Sequence, residues 1–442
     1  MFRILKDSDS TQDNALEKRK EDERAIRQPL PENSTRVDGR LANPVALPSF
    51  RNLLPLPVLR PKRDKRTGPF LRNIFNKRGT NIYNDYLTLE GMFVSLPNHG
   101  VKKSFVTPPS LWEMIDSDDI YYHLWVAVDT ALTQKRSVDL SVKWAYEQFI
   151  VELGTALLDI IPGQLYTFID SRLGLGEIVE TARSMMCRFE LKGCNRKNIV
   201  LNIPATQEGI QAARILTTEH GMKVNLLFVS SLMHAVVCAD AGATSITVHV
   251  GQILTWHENR LNQDYHTLTP HPGIETIQAV IEFMRHHKLQ TEVFATNPRS
   301  LIELQALDGL HGACLSRAMM EQLASYKVPH DTNMIEDAES LLRARQVQYP
   351  LPSDTHDNFM KGMSPQSKRT IDAILGGELC KMNVVLDNIE DKIRELVEAR
   401  MEIDRMPLEE LEQKRRVEGE WRKGRRQSIS VSFPTTVDPD VF

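Results

Sequence analysis

The chain has 442 residues, of which 41% are hydrophobic and 25% are charged, and its formal net charge is −4. These values are ordinary for a soluble globular protein. The net charge argues neither for nor against bulk nucleic-acid binding, and nucleic acid is not an expected partner. No apolar run approaches the roughly 18 residues that a membrane span needs, so no membrane association is predicted. Five cysteines without a C-x-x-C pair indicate reduced thiols. The expected location is the cytoplasm.

Residues 1–79 are predicted to form a disordered extension that is rich in proline and basic residues. Residues 1–44 are almost all polar and cannot bury enough apolar surface to offset the entropy of ordering. The basic run at residues 60–66 could serve as a nuclear address or as a patch for an acidic partner. The favoured interpretation is a solvated basic linker, because no aromatic platform accompanies the run.

Eight short apolar runs alternate with helix-like segments after this extension. This alternation predicts an α/β chain with a parallel sheet, and eight is also the strand count of a closed (β/α)8 barrel. Periodicity alone leaves an open doubly wound sheet as an alternative. The predicted strands are Met92–Leu96, Ser104–Thr107, Leu165–Asp170, Ile199–Pro204, Val224–Val229, Ser245–Val250, Thr291–Thr296 and Ala313–Ser316.

The fourth of these runs leads directly into a predicted helix. Thr206 is a plausible N-cap, and the apolar residues that follow are spaced like one face of a helix that stops at Gly221. Asn202 is the one polar residue inside the strand, near its carboxyl end. Because α/β folds place their chemistry where a strand meets the next helix, Asn202 is predicted to face the functional site.

Residues 201–210 read L-N-I-P-A-T-Q-E-G-I, which resembles the I-K-x-x-(A/S)-T-W-E-G-I pattern of the fourth barrel strand of transaldolases. The resemblance covers roughly residues 85–400 and implies a (β/α)8 TIM barrel of the transaldolase type. It assigns residues 80–405 to the barrel with its C-terminal helix, and it leaves residues 406–442 as a charged disordered tail. One departure dominates: Asn202 stands where the family carries its Schiff-base lysine.

The resemblance also assigns the other catalytic positions. Asn202 is predicted to be inactive in Schiff-base chemistry, since an amide nitrogen cannot form an imine. Asn225 is retained from the family, Thr247 replaces a pocket serine, and His249 replaces a pocket aromatic residue. Glu90 falls near the position of the first-strand aspartate. The structural alternative is that the two asparagines and the histidine are simply hydrogen-bonded residues of the barrel interior.

Further positions depart from the family in the same direction. Phe168 and Leu227 replace a glutamate and a threonine that hold the catalytic water, and Pro108 stands in place of an asparagine. Arg299 matches a phosphate-binding arginine, whereas the second arginine of that site has become Gln252. An amide binds phosphate more weakly than a guanidinium does. The structural alternative for Arg299 is a salt-bridge partner.

These departures favour a pseudoenzyme of pentose-phosphate-type carbohydrate metabolism, which acts in sugar-phosphate binding or as a scaffold. One alternative is an enzyme with altered, non-Schiff-base chemistry in a specialised biosynthetic pathway. Another is a true transaldolase that transfers dihydroxyacetone between sugar phosphates. No cofactor and no metal site are predicted, because no ligand cluster has suitable spacing. A protein partner that binds the terminal extensions, and a homodimer, remain open.

Overall fold

Eight parallel strands close into a barrel in this computed structural model, which describes residues 71–84, 103–262, 264–265, 271–307, 309–328, 338–352 and 356–405. Each strand pairs with the next along the chain, and β1 pairs with β8, so the sheet has no free edge. The strands are β1 Asn81–Asn84, β2 Lys103–Phe105, β3 Leu165–Phe168, β4 Ile199–Pro204, β5 Lys223–Val229, β6 Ser245–His249, β7 Glu292–Thr296 and β8 Gly312–Leu315.

Among the described residues, helices lie before β1, between successive strands from β2 onward, and after β8. A short 3-10 helix, Arg196–Asn198, precedes β4. The α-helices within the described residues are α1 Leu71–Arg78, α2 Pro108–Met114, α3 Asp118–Leu132, α4 Val138–Leu158, α5 Leu175–Leu191, α6 Gln207–Thr218, α7 Leu232–Asp240, α8 Val250–Leu261, α9 Pro272–His286, α10 Leu301–Gln305, α11 Arg317–Ser325, α12 Ala338–Gln346 and α13 Pro365–Arg405.

The predicted (β/α)8 barrel is confirmed, but the prediction of its first strand is wrong. The apolar pattern predicts that strand at Met92–Leu96, which lies outside the described residues, whereas β1 is Asn81–Asn84. The strand reads N-I-Y-N, and it has only two apolar residues, Ile82 and Tyr83, both buried. A four-residue strand with polar ends gives no apolar run, so hydrophobic patterning passes over it.

Helix α1 corrects the predicted disorder at the end of the extension 1–79. Leu71 and Phe75 are four residues apart, which places them on one helix face, and both are buried. Arg78 donates hydrogen bonds to the backbone carbonyls of Gln305 and Leu307. This apolar pair lies close to the basic run at residues 60–66. The average composition of the extension 1–79 is polar and basic, so it does not indicate this helix.

The amino-terminal half of the barrel interior is filled by aromatic side chains. Phe105 and Tyr166 stack with ring centres 4.3 Å apart, and Tyr83 and Phe294 pack against them. The ammonium group of Lys103 lies 5.6 Å from the ring centre of Phe294. This half of the barrel is therefore a packed core rather than a pore.

Helix α13 closes over the carboxyl end of the barrel. It packs against α2, α3, α4 and α8, and it contacts β5. Its buried face includes Val385, Ile389 and Ile393, as the amphipathic pattern predicts. Ser171, in the loop after β3, donates a hydrogen bond of 2.8 Å to the side-chain oxygen of Asn383.

Arg172 strengthens this closure through ion pairs. Its guanidinium contacts Asp387 at 2.5 Å and Glu390 at 2.9 Å, both on α13, and it also pairs with Asp170 next to β3. Of the helices in the described part of the chain, none is both long enough and apolar enough to cross a membrane.

Candidate functional site

The junction between β4 and α6 holds Asn202 in a rigid frame. Thr206 caps α6, as the sequence predicts, by accepting a hydrogen bond of 3.0 Å from the backbone N–H of Gly209. A Cβ atom on Gly209 would lie 2.0 Å from the carbonyl oxygen of Pro204. Only glycine allows the first turn of the helix to approach the strand so closely. The carboxyl end of β4 is therefore fixed against the helix.

Asn202 belongs to a buried network of neutral polar side chains. Asn225 lies opposite Asn202 on β5, and its Nδ2 donates to Asn202 Oδ1 at 2.9 Å and to Thr247 Oγ1 at 2.9 Å. Ser245 donates from its hydroxyl to Asn225 Oδ1 at 2.9 Å. All four side chains are buried. The structure thus joins three predicted site residues, with Asn225 at the centre.

Asn202 supplies hydrogen-bonding groups but no amine. Its Nδ2 has no hydrogen-bond partner within the described residues, and the residue as a whole is 1% exposed. The lone pair of an amide nitrogen is delocalised into the carbonyl, so it cannot attack a ketose carbonyl to form an imine. The position can orient a hydroxyl group, but it cannot carry a covalent intermediate.

No lysine in the described residues takes over this position. Lys103 and Lys223 begin β2 and β5, and Lys197 precedes β4, so all three lie at the amino-terminal rim of the barrel. Barrel enzymes carry out their chemistry at the opposite rim. Lys381 on α13 is nearer the carboxyl end, but its side chain is 59% exposed and pairs with Glu378 at 2.8 Å. Lys102 lies outside the described residues.

Apolar side chains flank Asn202 where an acid–base relay would need polar ones. Phe168 lies opposite Asn202 on β3, is 2% exposed, and packs edge-on against Tyr146 with ring centres 6.4 Å apart. Leu227 lies two residues beyond Asn225 on the neighbouring strand β5, opposite Pro204. Proton transfer requires a positioned acid, base or ordered water. Phe168 and Leu227 exclude water and offer none of these groups.

His249, at the end of β6, is neutral at physiological pH. Burial lowers its pKa to about 4, while the charges of Glu378 and Lys381 on α13 act on it in opposite directions. The ring packs edge-on against Phe228 at 5.1 Å, and its Nδ1 is enclosed without a hydrogen-bond partner. His249 therefore behaves as an interior aromatic residue rather than as a charged acid.

Arg299, in the loop after β7, is already paired with a carboxylate. Its Nη1 donates to Glu258 Oε1 at 2.9 Å, and its Nη2 contacts Glu258 Oε2. The Nη2 also donates to the Thr255 hydroxyl at 2.7 Å. The side chains of Arg299 and Glu258 are 18% and 15% exposed. Arg299 is held as a salt-bridge partner, which was the structural alternative for this residue.

Helix α8 directs Arg299 away from the start of the helix. Gly251, Thr255 and Glu258 lie on one face of α8, and the Cγ of Arg299 lies 3.7 Å from the position of a Cβ on Gly251. Glu258 is about 10 Å further along the helix axis than Gly251, at 1.5 Å per residue. The guanidinium therefore contacts the second and third turns of α8, whereas Gln252 lies in its first turn.

Sequence reasoning missed Thr255 and Glu258 as partners of Arg299. Their spacing from Gly251 is visible in the sequence, and it marks one helix face. The sequence does not show that the loop after β7 packs on that helix face. In the structure, the Gly251 N–H donates a hydrogen bond of 3.1 Å to the Asn297 carbonyl in that loop. Glu90 lies outside the described residues, so its predicted role stays a prediction.

A cavity of about 640 Å³ lies beside the barrel, between α8, α9, α12 and the start of α13. Its walls include Ser230, His257, Glu275, Arg343 and Ser367. None of the residues of the Asn202 network lines it. The cavity and the Asn202 network are therefore separate. No cluster of metal-binding side chains occurs among the residues that the structure describes.

Comparison with known proteins gives a consistent family. The profile described as Transaldolase/Fructose-6-phosphate aldolase matches residues 88–361. The transaldolase of Kluyveromyces lactis is 31% identical over 205 residues, which cover 46% of this chain and 61% of that protein. A probable transaldolase of Drosophila melanogaster is 32% identical over 220 residues, covering 49% and 66%. The transaldolase of Prochlorococcus marinus is 27% identical over 286 residues, covering 61% and 82%.

The matches differ in how much of each relative they span. The chain spans only 61% of the length of the Kluyveromyces lactis protein. Among solved structures, one of mandelate oxidase matches at 14% identity with a TM-score of 0.29, covering 56% of this chain and 67% of that chain, a likeness too low to support an argument. The family profile, by contrast, matches more than half of the 442 residues. The chain belongs to the transaldolase/fructose-6-phosphate aldolase family.

Proposed function

We propose that this protein is a pseudoenzyme of transaldolase-type carbohydrate metabolism that acts through binding or assembly rather than Schiff-base catalysis. The observation that carries the proposal is the buried Asn202 amide, hydrogen-bonded to Asn225 at the position of the family's lysine. Loss of a covalent nucleophile commonly lowers turnover by about 10³ to 10⁶. Without the lysine, the protein is not expected to catalyse the transaldolase reaction at ordinary rates.

Two further features support the proposal independently of Asn202. Phe168 and Leu227 replace the water-holding positions with apolar side chains that are 2% and 9% exposed. The barrel framework around them is intact, and all eight strands close into one barrel. Unselected decay would destabilise the framework as well as the site. The retained fold points to a role that requires the folded protein but not its original chemistry.

The enzymatic alternatives need groups that the described site does not offer. A true transaldolase needs a neutral amine within reach of the substrate carbonyl. A different reaction at this position would need a titratable acid or base, and Asn202, Asn225 and Thr247 do not titrate. His249 titrates far below neutral pH. Binding or assembly is therefore the stronger proposal.

Borohydride trapping tests the proposal directly. The full chain is incubated with fructose 6-phosphate and sodium borohydride, and its intact mass is measured. A curated transaldolase such as the Kluyveromyces lactis protein serves as the positive control. We expect an adduct on the control and none on this protein. A stoichiometric adduct on one of its lysines, with turnover of fructose 6-phosphate and erythrose 4-phosphate, would revive the transaldolase alternative.

Two measurements then separate binding from assembly. A metabolite that binds the folded state raises the melting temperature by mass action, so a metabolite screen by thermal shift detects binding. Sedimentation of the full chain and of chains that lack residues 1–70 or 406–442 detects homodimers. The same truncations, used in partner capture, show whether the extensions bind another protein. A metabolite-dependent shift would favour binding, and its absence together with a captured partner would favour assembly.

A further inference from the structure

We propose that Glu258 sequesters Arg299, the arginine expected at the anion subsite of this barrel, so that the protein discriminates against phosphorylated ligands independently of the loss of the lysine. In (β/α)8 barrels, phosphate sites are frequently built from the loops after strands seven and eight. Arg299 is the basic residue that immediately follows β7 in this chain. Its guanidinium binds a carboxylate from the protein itself.

The carboxylate takes the same donors that a phosphate would use. Arginine binds carboxylates and phosphates through two parallel N–H donors. In this structure Nη1 and Nη2 of Arg299 each contact one oxygen of Glu258, and the Thr255 hydroxyl accepts a further hydrogen bond from Nη2. A phosphate could use the N–H groups that bind Glu258 only by displacing that carboxylate. The Nε–H of Arg299 is buried and has no hydrogen-bond partner among the described residues.

Both partners are held in place by the surrounding fold. Glu258 is fixed on α8, and the loop that carries Arg299 is tied to that helix by the hydrogen bond from Gly251 N–H to the Asn297 carbonyl. The backbone N–H of Arg299 also donates to Glu303 at 3.0 Å. Because Glu258 is attached to the same chain, its effective concentration at Arg299 reaches the millimolar range or above. A free anion must compete with that concentration.

The electrostatics of the pair oppose a second anion. The hydrogen bond from Arg299 lowers the pKa of Glu258, so the carboxylate is ionised at neutral pH. The Arg299–Glu258 pair has no net charge. A phosphate dianion that approaches the pair therefore gains no attraction from it and is repelled by the negatively charged carboxylate oxygens of Glu258. Gln252, at the start of the same helix, adds no positive charge. The ligands that suit this end of the barrel are therefore uncharged polyhydroxy compounds rather than their phosphates.

Removal of the Glu258 charge tests the inference. We expect Glu258→Gln to bind fructose 6-phosphate and inorganic phosphate at least about tenfold more tightly than the wild type, which corresponds to about 1.4 kcal/mol. The double variant Glu258→Gln/Arg299→Gln should lose this gain. Binding is measured by calorimetry on the full chain, and fructose serves as the uncharged ligand. A wild type that binds fructose 6-phosphate tightly through Arg299 would overturn the inference.

A matched control separates this effect from a general change in charge. Glu282 is another glutamate that pairs with an arginine, Arg285, at 2.7 Å, and its side chain is also 15% exposed. Glu282→Gln should leave phosphate binding unchanged. Glu258→Ala provides a second way to release Arg299 if the glutamine variant folds poorly. If neither folded Glu258 variant gains phosphate affinity, the inference is wrong.

The result is independent of the proposed loss of catalysis. Borohydride trapping reports on covalent chemistry near Asn202, whereas calorimetry reports on equilibrium binding at Arg299. A wild type that binds fructose 6-phosphate through Arg299 without an adduct would overturn this inference and leave the pseudoenzyme proposal standing. If the wild type forms a borohydride adduct and Glu258→Gln gains phosphate affinity, the pseudoenzyme proposal is overturned and this inference stands.

Discussion

Asn202 and Arg299, the two residues on which the proposals rest, differ in their surroundings. Asn202 supplies no amine, and its neighbours Asn225 and Thr247 are polar and hydrogen-bonded. Arg299 supplies a guanidinium, but Glu258 and Thr255 bind it. The proposals therefore assign a lost functional group to the first position and a sequestered one to the second. A residue that matches a family motif therefore does not guarantee a matching site.

The two regions also differ in their access to water. The Asn202 network is nearly fully enclosed, with Asn202 and Asn225 at 1% and 0% exposure. The Arg299–Glu258 pair is partly exposed, at 18% and 15%. A charge pair at that exposure can be reached by a competing ion, whereas a buried amide network cannot be reached without local opening. The Arg299 region is therefore the more easily reversed of the two.

The strongest test of this contrast is the Asn202→Lys variant. We expect its turnover to remain at least about 10³-fold below that of a transaldolase relative, because the restored amine lacks the acid–base relay. The triple variant Asn202→Lys/Phe168→Glu/Leu227→Thr restores polar groups at all three positions and should exceed the single variant by about 10² or more. Coupled assays with fructose 6-phosphate and erythrose 4-phosphate measure both. Full activity in the single variant would contradict the relay argument.

Acid titration tests whether the β4 side of the barrel is closed to water. His234 is 0% exposed, its Nε2 lies 2.8 Å from the Ala205 carbonyl just after β4, and burial lowers its pKa to about 4. The unfolded chain binds this proton at about pH 6.5, so stability falls as the pH drops from about 6.5 to about 4, by up to about 3 kcal/mol. Below that range His234 contributes no further loss.

The variant His234→Gln isolates this contribution. Glutamine can donate to the Ala205 carbonyl but does not titrate, so the variant should lack the part of the pH dependence that His234 causes. Urea unfolding of both proteins at a series of pH values gives the difference. Parallel pH profiles for the wild type and His234→Gln would mean that the region is open to water.

Gly251→Ala perturbs the Arg299 side instead. The new Cβ would lie 2.3 Å from the Asn297 carbonyl oxygen, so α8 and the loop after β7 must separate. We expect a loss of about 1 to 3 kcal/mol in the free energy of unfolding. Gly376→Ala, on α13 with no atom within 4 Å of the new Cβ, should instead stabilise by about 0.5 to 1 kcal/mol. Denaturant titration compares them, and equal effects would show that the contact is not tight.

Most of the fold could be predicted from hydrophobic patterning and the family resemblance. Seven predicted strands overlap those in the structure, because buried parallel strands appear as apolar runs. The first strand, Asn81–Asn84, could not be found in this way, since its two buried residues lie between asparagines. Helix α1 was missed because its Leu71–Phe75 pair follows a basic segment. Short elements stabilised by tertiary contacts leave little local signal.

The candidate site could be proposed from the sequence, but the environment of its residues could not. The resemblance predicts Asn202, Asn225, Thr247, His249 and Arg299 as site residues by their positions. Which of them contact one another depends on strand register and on loops that are far apart in sequence. Thr247 joins Asn225 because β5 and β6 are neighbours, and Glu258 reaches Arg299 because α8 packs beside the loop after β7. Such contacts between distant segments require the three-dimensional structure.

The smallest expected effect distinguishes the two asparagines. Asn225 has three hydrogen-bonding neighbours, Asn202, Ser245 and Thr247, so Asn225→Ala leaves several buried groups unsatisfied and should cost about 2 to 3 kcal/mol. Asn202→Ala removes one acceptor, while Asn225 keeps its bond to Thr247, and should cost about 1 kcal/mol. Urea unfolding of the two variants measures the difference. If Asn202→Ala were the more costly variant, Asn202 rather than Asn225 would hold the network together. An amide that holds no other group in place can be replaced at little cost, which is what the pseudoenzyme proposal expects of Asn202.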